Sequence, residues 1–166
     1  MSTPLFAAIK NISAFVFDVD GVMTDGSLLI TDEGKLLRTF HIRDGYALKR
    51  ISSTGFHLAV ISGGRSDGVV KRLQDLGVRD IFMDAQDKET VLMEWIRING
   101  IPFTNLAYMG DDLLDVPAMQ HAALRACPAD AVQEVKTIAN YISPLHGGKG
   151  CVRDLIELVL KVQNQW

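Results

Sequence analysis

Apolar and polar positions follow two alternating periods along this chain. Short, continuously apolar runs of strand length end at glycine or at acidic residues, and longer segments with apolar residues at helical spacing lie between them. This β–α–β–α order predicts an α/β fold with a doubly wound parallel sheet and right-handed crossovers. The predicted strands are residues 12–17, 57–61, 80–83, 106–109, 123–126 and 141–142. The predicted helices are residues 43–53, 67–76, 88–99, 131–140 and 152–162, with a further helix around Pro117.

One segment departs from this alternation. Residues 27–42 hold two apolar stretches on either side of a polar turn that contains Gly34, a pattern typical of a β-hairpin. On an isolated subunit this hairpin would present an adhesive edge, formed by Leu28, Leu29, Ile30, Leu36 and Leu37. We therefore expect the hairpin to be covered, either by another subunit or by the surface of its own domain.

Length and composition narrow the classes of function. At 166 residues and 48% hydrophobic content, we expect one domain, residues 1–166, with a substantial core. A net charge of -3 without any basic tract argues against nucleic acid as a partner. Residues 1–10 lack the features of a signal peptide, and no apolar run approaches the roughly 20 residues that a membrane span needs, so we expect a cytoplasmic protein. Cys127 and Cys151 are expected to be reduced and semi-buried.

Two carboxylates follow the first predicted strand. Asp18 and Asp20, with Gly21 next, end an apolar run that reads as a buried strand. Carboxylates at such a position are unfavourable unless they are paired or bind metal, and ligands of open α/β sheets bind at the carboxyl ends of strands. This position predicts a site of chemistry, and the alternative is an ordinary Asp-Gly turn.

A second acidic cluster repeats the pattern after residues 106–109. Asp111 and Asp115 are four residues apart and would share one face of a helix beginning there. Two acidic strand ends in a chain of small net charge suggest a hard cation between them, and oxygen ligands alone favour Mg²⁺. Helix capping is the alternative for this cluster.

Two further features suit an anion. Ser62, Gly63 and Gly64 follow a strand and precede a helix, where backbone N–H groups form an anion cradle, and Arg65 adds a planar donor. Lys88 stands at a predicted helix N-terminus, where a cation is unfavourable unless an anion lies nearby. Taken singly, a plain turn explains the loop equally well, and a solvated surface lysine explains Lys88 better.

Taken in order, these four pieces resemble the four motifs of the haloacid dehalogenase superfamily of phosphatases, over nearly the whole chain. The resemblance implies that Asp18 is the nucleophile that forms an aspartyl-phosphate. It implies that Asp20 is the general acid and then the base, and that Ser62 and Lys88 hold the phosphoryl oxygens. Such covalent catalysis divides one difficult displacement into two easier ones.

The same resemblance implies a Mg²⁺ site. Its ligands would be Asp18, the backbone carbonyl of Asp20, and Asp111, with either Asp112 or Asp115 in support. Many members of the superfamily carry a cap domain, but neither gap between the motifs has room for one here, so the fold is expected to be capless. Subunits that pack through their hairpins would cover the open sites.

The arrangement is similar to the 3-deoxy-D-manno-octulosonate 8-phosphate phosphatase family. The matching segments are residues 17–22, 24–26, 40–45, 110–115 and 147–153. The resemblance implies a Mg²⁺-dependent homotetramer that releases phosphate from an eight-carbon sugar acid in lipopolysaccharide precursor synthesis. In such tetramers the C-terminal tail, here about residues 146–166, can close a neighbour's site, so residues 147–153 are expected to act as a mobile lid.

The loop after the second strand departs from the family pattern. The family usually has Gly-Arg after the hydroxyl, whereas this chain has Ser62-Gly63-Gly64-Arg65. Gly63, Arg65 and Thr24 are the predicted substrate-binding residues. A phosphatase for a nine-carbon, sialic-acid-type 9-phosphate remains an alternative, and so does a catalytically silent assembly module. A receiver-like domain is disfavoured because receivers lack Asp-x-Asp-Gly at the first strand.

Overall fold

The computed structural model describes residues 3–166 and contains one central six-stranded parallel sheet. The strands of the chain are β1 Ala14–Phe17, β2 Leu29–Ile30, β3 Leu36–Leu37, β4 His57–Ile61, β5 Asp80–Phe82, β6 Leu106–Met109, β7 Leu124–Cys127 and β8 Tyr141–Ile142. The order in the main sheet is β5-β4-β1-β6-β7-β8, and β2 pairs only with β3, antiparallel, as a separate hairpin. β1 therefore lies inside the sheet, between β4 and β6.

Helices cover both faces of the sheet. They are α1 Thr3–Asn11, α2 Ile42–Ser52, α3 Asp67–Asp75, α4 Lys88–Asn99, α5 Val116–Met119, α6 Gln133–Ile138 and α7 Cys151–Val162, with short 3₁₀ turns at Phe103–Asn105 and Leu113–Asp115. Buried side chains of α1, α2, α3 and α7 form one core cluster, and those of α4, α5 and α6 form the other. This is the predicted doubly wound architecture, and a cap domain is not evident in the described chain.

The central strand alternates its side chains between the two cores. Phe15 and Phe17 belong to one cluster, Ala14 and Val16 to the other, and all four are fully buried. Phe17 pairs in register with Val60 of β4 and with Met109 of β6. Because the three strands are parallel and in register, the residues that follow them meet at one edge of the sheet.

The order of elements is as predicted, with small differences at their ends. The strands His57–Ile61 and Leu106–Met109 and the helix Lys88–Asn99 have the predicted bounds. β1 begins two residues late because α1, which the apolar pattern did not predict, continues to Asn11. The hairpin pairs only two residues from each strand, so it is shorter than the predicted residues 27–42.

Two smaller findings complete the comparison. Cys127 and Cys151 are free thiols, as expected, but both are fully buried and not semi-buried, because each packs into one of the two cores. Within residues 3–166, no helix has the length and apolar character needed to cross a membrane.

Candidate active site

The predicted site residues follow three adjacent strands. Asp18 comes directly after β1, Ser62 directly after β4, and Asp111 two residues after the end of β6. Lys88 is the first residue of α4, whose N-terminus is capped by the Asp87 side chain through the Thr90 amide. The parallel sheet therefore gathers at one edge groups that are far apart in the sequence.

Lys88 is the buried cation of the site. Its Nζ lies 3.0 Å from Asp18 Oδ2 and 2.7 Å from Asp115 Oδ1, and all three side chains are almost completely buried. Burial alone would lower the pKa of Lys88, but the charges of Asp115 and Asp18 outweigh it and raise that pKa above its ordinary value. Lys88 therefore stays charged over the whole physiological pH range.

Asp115 holds the site together. Its Oδ1 accepts hydrogen bonds from Lys88 and from the Tyr108 hydroxyl, at 2.7 and 2.9 Å. Its Oδ2 accepts from the backbone N–H groups of Asp111 and Asp112, at 3.1 and 3.4 Å. Both oxygens of Asp115 are therefore engaged by groups of the site. The side chain of Asp112 instead caps the 3₁₀ turn through the Leu113 amide at 2.7 Å.

The loop after β1 is shaped to approach the second acidic cluster. Gly21 has φ +86°, and a Cβ there would overlap the Asp111 carboxylate, so only glycine fits. Thr24 is fully buried, and its hydroxyl accepts from the amides of Gly21 and Gly26, each at 3.3 Å. Thr24 thus lies inside this loop, and its predicted contact with substrate stays a prediction.

A cation fits between the acidic residues. Oxygens of Asp18, Asp111 and Asp115 lie within 4.8 Å of one another. Asp18 Oδ1 and Asp111 Oδ1 are buried, and neither has a hydrogen-bond partner within the described chain. Buried carboxylate oxygens without partners are unfavourable, and a hard cation with oxygen ligands would satisfy both. The donor set therefore suits Mg²⁺.

The raised pKa values of Asp18 and Asp111 also indicate that their ionised forms are unfavourable without a nearby cation. Burial, followed by the charge of Asp115, raises the pKa of Asp18 to about 7. Burial, followed by the charge of Asp18, raises the pKa of Asp111 to about 8. Without a cation, the folded protein therefore binds protons at these two groups more tightly than the unfolded chain does.

Asp20 lies outside the three-carboxylate cluster and pairs with an arginine of the hairpin. Arg38 Nε lies 2.6 Å from Asp20 Oδ1, and Arg38 Nη2 lies 3.0 Å from Asp20 Oδ2. Sequence reasoning did not find Arg38, because a cation after an edge strand is an ordinary surface feature and nothing in its spacing points to Asp20.

The predicted site residues of the loop after β4 differ in burial. Ser62 is buried, and its hydroxyl accepts from the Gly64 amide at 3.2 Å, so the loop folds tightly over the strand end. The Arg65 side chain is 80% exposed and pairs with the Asp84 carboxylate. The structure therefore brings Ser62 and the two glycines to the site, and it directs Arg65 to the surface.

The C-terminal tail packs against the site loop of its own chain. Gly148 donates its amide to the Val22 carbonyl at 2.9 Å, and Lys149 pairs with Asp25 at 3.2 Å. A Cβ at Gly147 would overlap the Gly21 carbonyl. In the single chain, residues 147–149 of the segment expected to form a mobile lid thus contact the loop after β1, and the lid stays a prediction.

Comparison with known proteins agrees with this geometry. A family model described as haloacid dehalogenase-like hydrolase matches residues 74–153. The 3-deoxy-D-manno-octulosonate 8-phosphate phosphatase of Haemophilus influenzae is 34% identical over 157 residues, which cover 95% of this chain and 87% of the relative. The chain belongs to the 3-deoxy-D-manno-octulosonate 8-phosphate phosphatase family.

Solved structures of the family superpose over almost the whole chain. A crystal structure of the phosphatase from Yersinia pestis has a TM-score of 0.96 at 30% identity and covers 99% of this chain and 89% of its own. The phosphatase from Moraxella catarrhalis, in complex with a magnesium ion, a phosphate ion and KDO, has a TM-score of 0.94 at 33% identity. That match covers 99% of this chain and 94% of the Moraxella chain.

Proposed function

We propose that this protein is a Mg²⁺-dependent phosphatase that hydrolyses 3-deoxy-D-manno-octulosonate 8-phosphate to the free sugar acid and phosphate, in lipopolysaccharide precursor synthesis. The observation that carries the proposal is the buried Lys88 between Asp18 and Asp115, beside two carboxylate oxygens that lack partners. The full-length similarity to named phosphatases, one of them solved with magnesium, phosphate and KDO, supports the substrate class.

The first step transfers the phosphoryl group to the protein. The Asp18 carboxylate attacks phosphorus, and the bond between phosphorus and the sugar oxygen breaks, which gives an aspartyl-phosphate. Asp20 gives its proton to the departing oxygen, which leaves as a neutral hydroxyl group of the sugar acid. Lys88 has three N–H donors, of which Asp18 and Asp115 take two. The third N–H is available to a phosphoryl oxygen, together with the Ser62 hydroxyl.

The second step releases phosphate. Asp20, now a carboxylate, takes a proton from a water molecule as that water attacks phosphorus. The bond between phosphorus and Asp18 breaks, so free phosphate leaves and both carboxyl groups return to their starting states. Asp18, the Asp20 carbonyl and Asp111 would hold Mg²⁺, which would supply charge neutralisation for the carboxylates and the phosphoryl oxygens.

Phosphate release from a panel of phosphorylated sugar acids tests this proposal. We expect turnover of the eight-carbon acid phosphate that requires Mg²⁺, stops in excess EDTA and is abolished in Asp18→Asn. Asp75→Asn, a surface aspartate paired with Lys71 on α3, is the matched control and should keep full activity. Preference for a nine-carbon acid 9-phosphate would change the substrate and keep the mechanism. Absence of turnover with every phosphomonoester would refute the enzyme and favour a silent assembly module.

We also propose that the protein assembles as a homotetramer through its hairpins. The five apolar residues of the hairpin, expected to be covered, are all exposed in the single chain: Leu28, Leu29, Ile30, Leu36 and Leu37. A contiguous apolar patch of this kind supports contact with other copies of the chain. Sedimentation of wild type and of Leu29→Asp tests it, because a charge on the hairpin should dissociate the assembly and leave the fold intact by circular dichroism.

Three further features of the proposal concern the whole chain. We propose that the chain is one domain, which the two cores on one central sheet within residues 3–166 support. The enzyme works in the cytoplasm, in keeping with two free thiols. Its partners are the sugar-acid phosphate and further copies of itself, with no membrane and no nucleic acid.

A further inference from the structure

One cationic side chain of the hairpin segment, that of Arg38, contacts a predicted catalytic residue. Arg38 follows β3 immediately, and its guanidinium forms two hydrogen bonds with Asp20, one to each carboxylate oxygen. The Arg38 side chain is only 5% exposed, whereas that of Asp20 is 37% exposed. The Arg38 side chain is therefore buried, and the Asp20 carboxylate that it binds is partly exposed to solvent.

This pair differs from an ordinary surface ion pair. Burying a guanidinium is unfavourable, and Arg38 Nη1 is left without a partner among residues 3–166. A bidentate guanidinium contact fixes the direction of a carboxylate as well as its position. The buried pair thus lowers the stability of the fold somewhat, and it fixes the orientation of the Asp20 carboxylate.

The neighbouring loop leaves room for this pair. A Cβ at Gly64 would lie 3.1 Å from Arg38 Nη2 and 3.1 Å from Asp20 Oδ2. Any residue larger than glycine would therefore press on both partners. The hairpin, the loop after β1 and the loop after β4 converge on this one carboxylate.

We infer that Arg38 is a positioning residue that orients Asp20 for protonation of the leaving oxygen. The inference rests on the proposed function, in which Asp20 is the general acid. A carboxyl oxygen has two lone pairs, so Asp20 can stay bonded to Arg38 while it serves the departing group. Small errors in the position of a reacting group lower rates steeply, by on the order of 100-fold for about 1 Å.

The dependence of the rate on the leaving group distinguishes a residue that orients the general acid from one that binds the phosphoryl group or stabilises the fold. A sugar alkoxide leaves poorly without a proton, whereas p-nitrophenolate leaves well without one. The value of kcat/KM reports the step in which the leaving group departs, so the two substrates should respond differently to a misplaced general acid. A residue that only binds the phosphoryl group, or that only stabilises the fold, would affect both substrates alike.

Arg38→Met keeps the apolar stem and removes the donors. We expect its kcat/KM to fall by about 10- to 100-fold with the eight-carbon acid phosphate and by less than about 3-fold with p-nitrophenyl phosphate. Arg38→Lys should recover part of the loss, because an ammonium can bind one oxygen but cannot form the planar pair. Arg97→Met is the matched control, since Arg97 makes the same two-bond contact with Glu94 on the exposed face of α4.

Gly64→Ala provides a second test that leaves Arg38 and Asp20 in place. It should give the same substrate-selective loss, smaller in size, even if Arg38→Met folds poorly. Equal losses with both substrates, or no loss with either, in the variants that fold would overturn the inference. Failure of the proposed function looks different, because wild type itself would then hydrolyse neither phosphomonoester.

Discussion

Replacing Asp111 with asparagine should stabilise the metal-free protein while it abolishes activity. Asp111 is a partly buried carboxyl whose Oδ1 is buried without a partner in the described chain, and its pKa is raised to about 8. The amide of asparagine has nearly the same shape and no charge. It therefore removes a charge that destabilises the fold when no cation is bound.

The magnitude follows from the pKa of this carboxyl. A rise from 3.8 to about 8 corresponds to about 6 kcal/mol between the protonated and ionised forms, at about 1.4 kcal/mol for each pKa unit. Burying an amide with an incomplete set of hydrogen bonds costs about 1–3 kcal/mol, and partial exposure reduces the gain further. We expect a net increase of about 1–3 kcal/mol in the free energy of unfolding at pH 8.

The sign of the pH dependence is fixed by the direction of the shift. The folded state binds the Asp111 proton more tightly than the unfolded chain, so metal-free wild type loses stability as pH rises from about 4 to about 8. The variant lacks this group, so its advantage should be small near pH 4, grow through this window and become constant above it.

Urea unfolding followed by circular dichroism measures this effect. Wild type, Asp111→Asn and the surface control Asp75→Asn are compared in EDTA at pH 5 and pH 8, and again with Mg²⁺. We expect Mg²⁺ to stabilise wild type and the control, but not Asp111→Asn. The reasoning is refuted if Asp111→Asn is less stable than wild type in EDTA at pH 8, since Asp111 would then be a favourable structural group.

Three further substitutions test the buried network. Lys88→Met should abolish phosphate release and lower the free energy of unfolding by about 3–5 kcal/mol in urea, because it leaves two buried carboxyls without their cation. Tyr108→Phe removes one hydrogen bond to Asp115, so we expect a loss of about 1 kcal/mol in the same assay and less than about 10-fold in kcat. Gly21→Ala should abolish Mg²⁺-dependent stabilisation in thermal melts. Gly34 also has positive φ but open space around it, so Gly34→Ala should lower the free energy of unfolding by only about 1 kcal/mol. Unchanged Mg²⁺ stabilisation in Gly21→Ala would contradict the fit of the loop after β1.

Much of the fold was predictable because local patterns and tertiary structure agree. β4, β6 and α4 have clear limits in the sequence, where apolar runs stop at glycine, polar or capping residues, and their predicted bounds match the structure. α1 was missed because its apolar residues form one unbroken run without a helical period, and only Ile9 and Leu5 of that run pack on the core. The hairpin was predicted longer than it is, because its apolar residues have no partner surface within the single chain.

The candidate site was predictable in its parts but not in its contacts. The ends of parallel strands lie at one edge of a sheet, so the residue types indicated an acidic, cation-binding site there, and the family resemblance added the phosphatase chemistry. Spacing did not distinguish Asp112 from Asp115 as the supporting residue. The 3₁₀ turn that separates their roles depends on the buried partners of Asp115, which are distant in the sequence.

Periodicity and residue type along the chain are enough to predict the alternation of strands and helices, the family motifs and the acidic character of one sheet edge. The contacts of the charged side chains emerge only in the folded chain, where Asp115 binds Lys88, Arg65 faces the surface and Arg38 pairs with Asp20. A charged side chain is buried only where the fold supplies its partner. That partner comes from the path of another element, which no local pattern encodes.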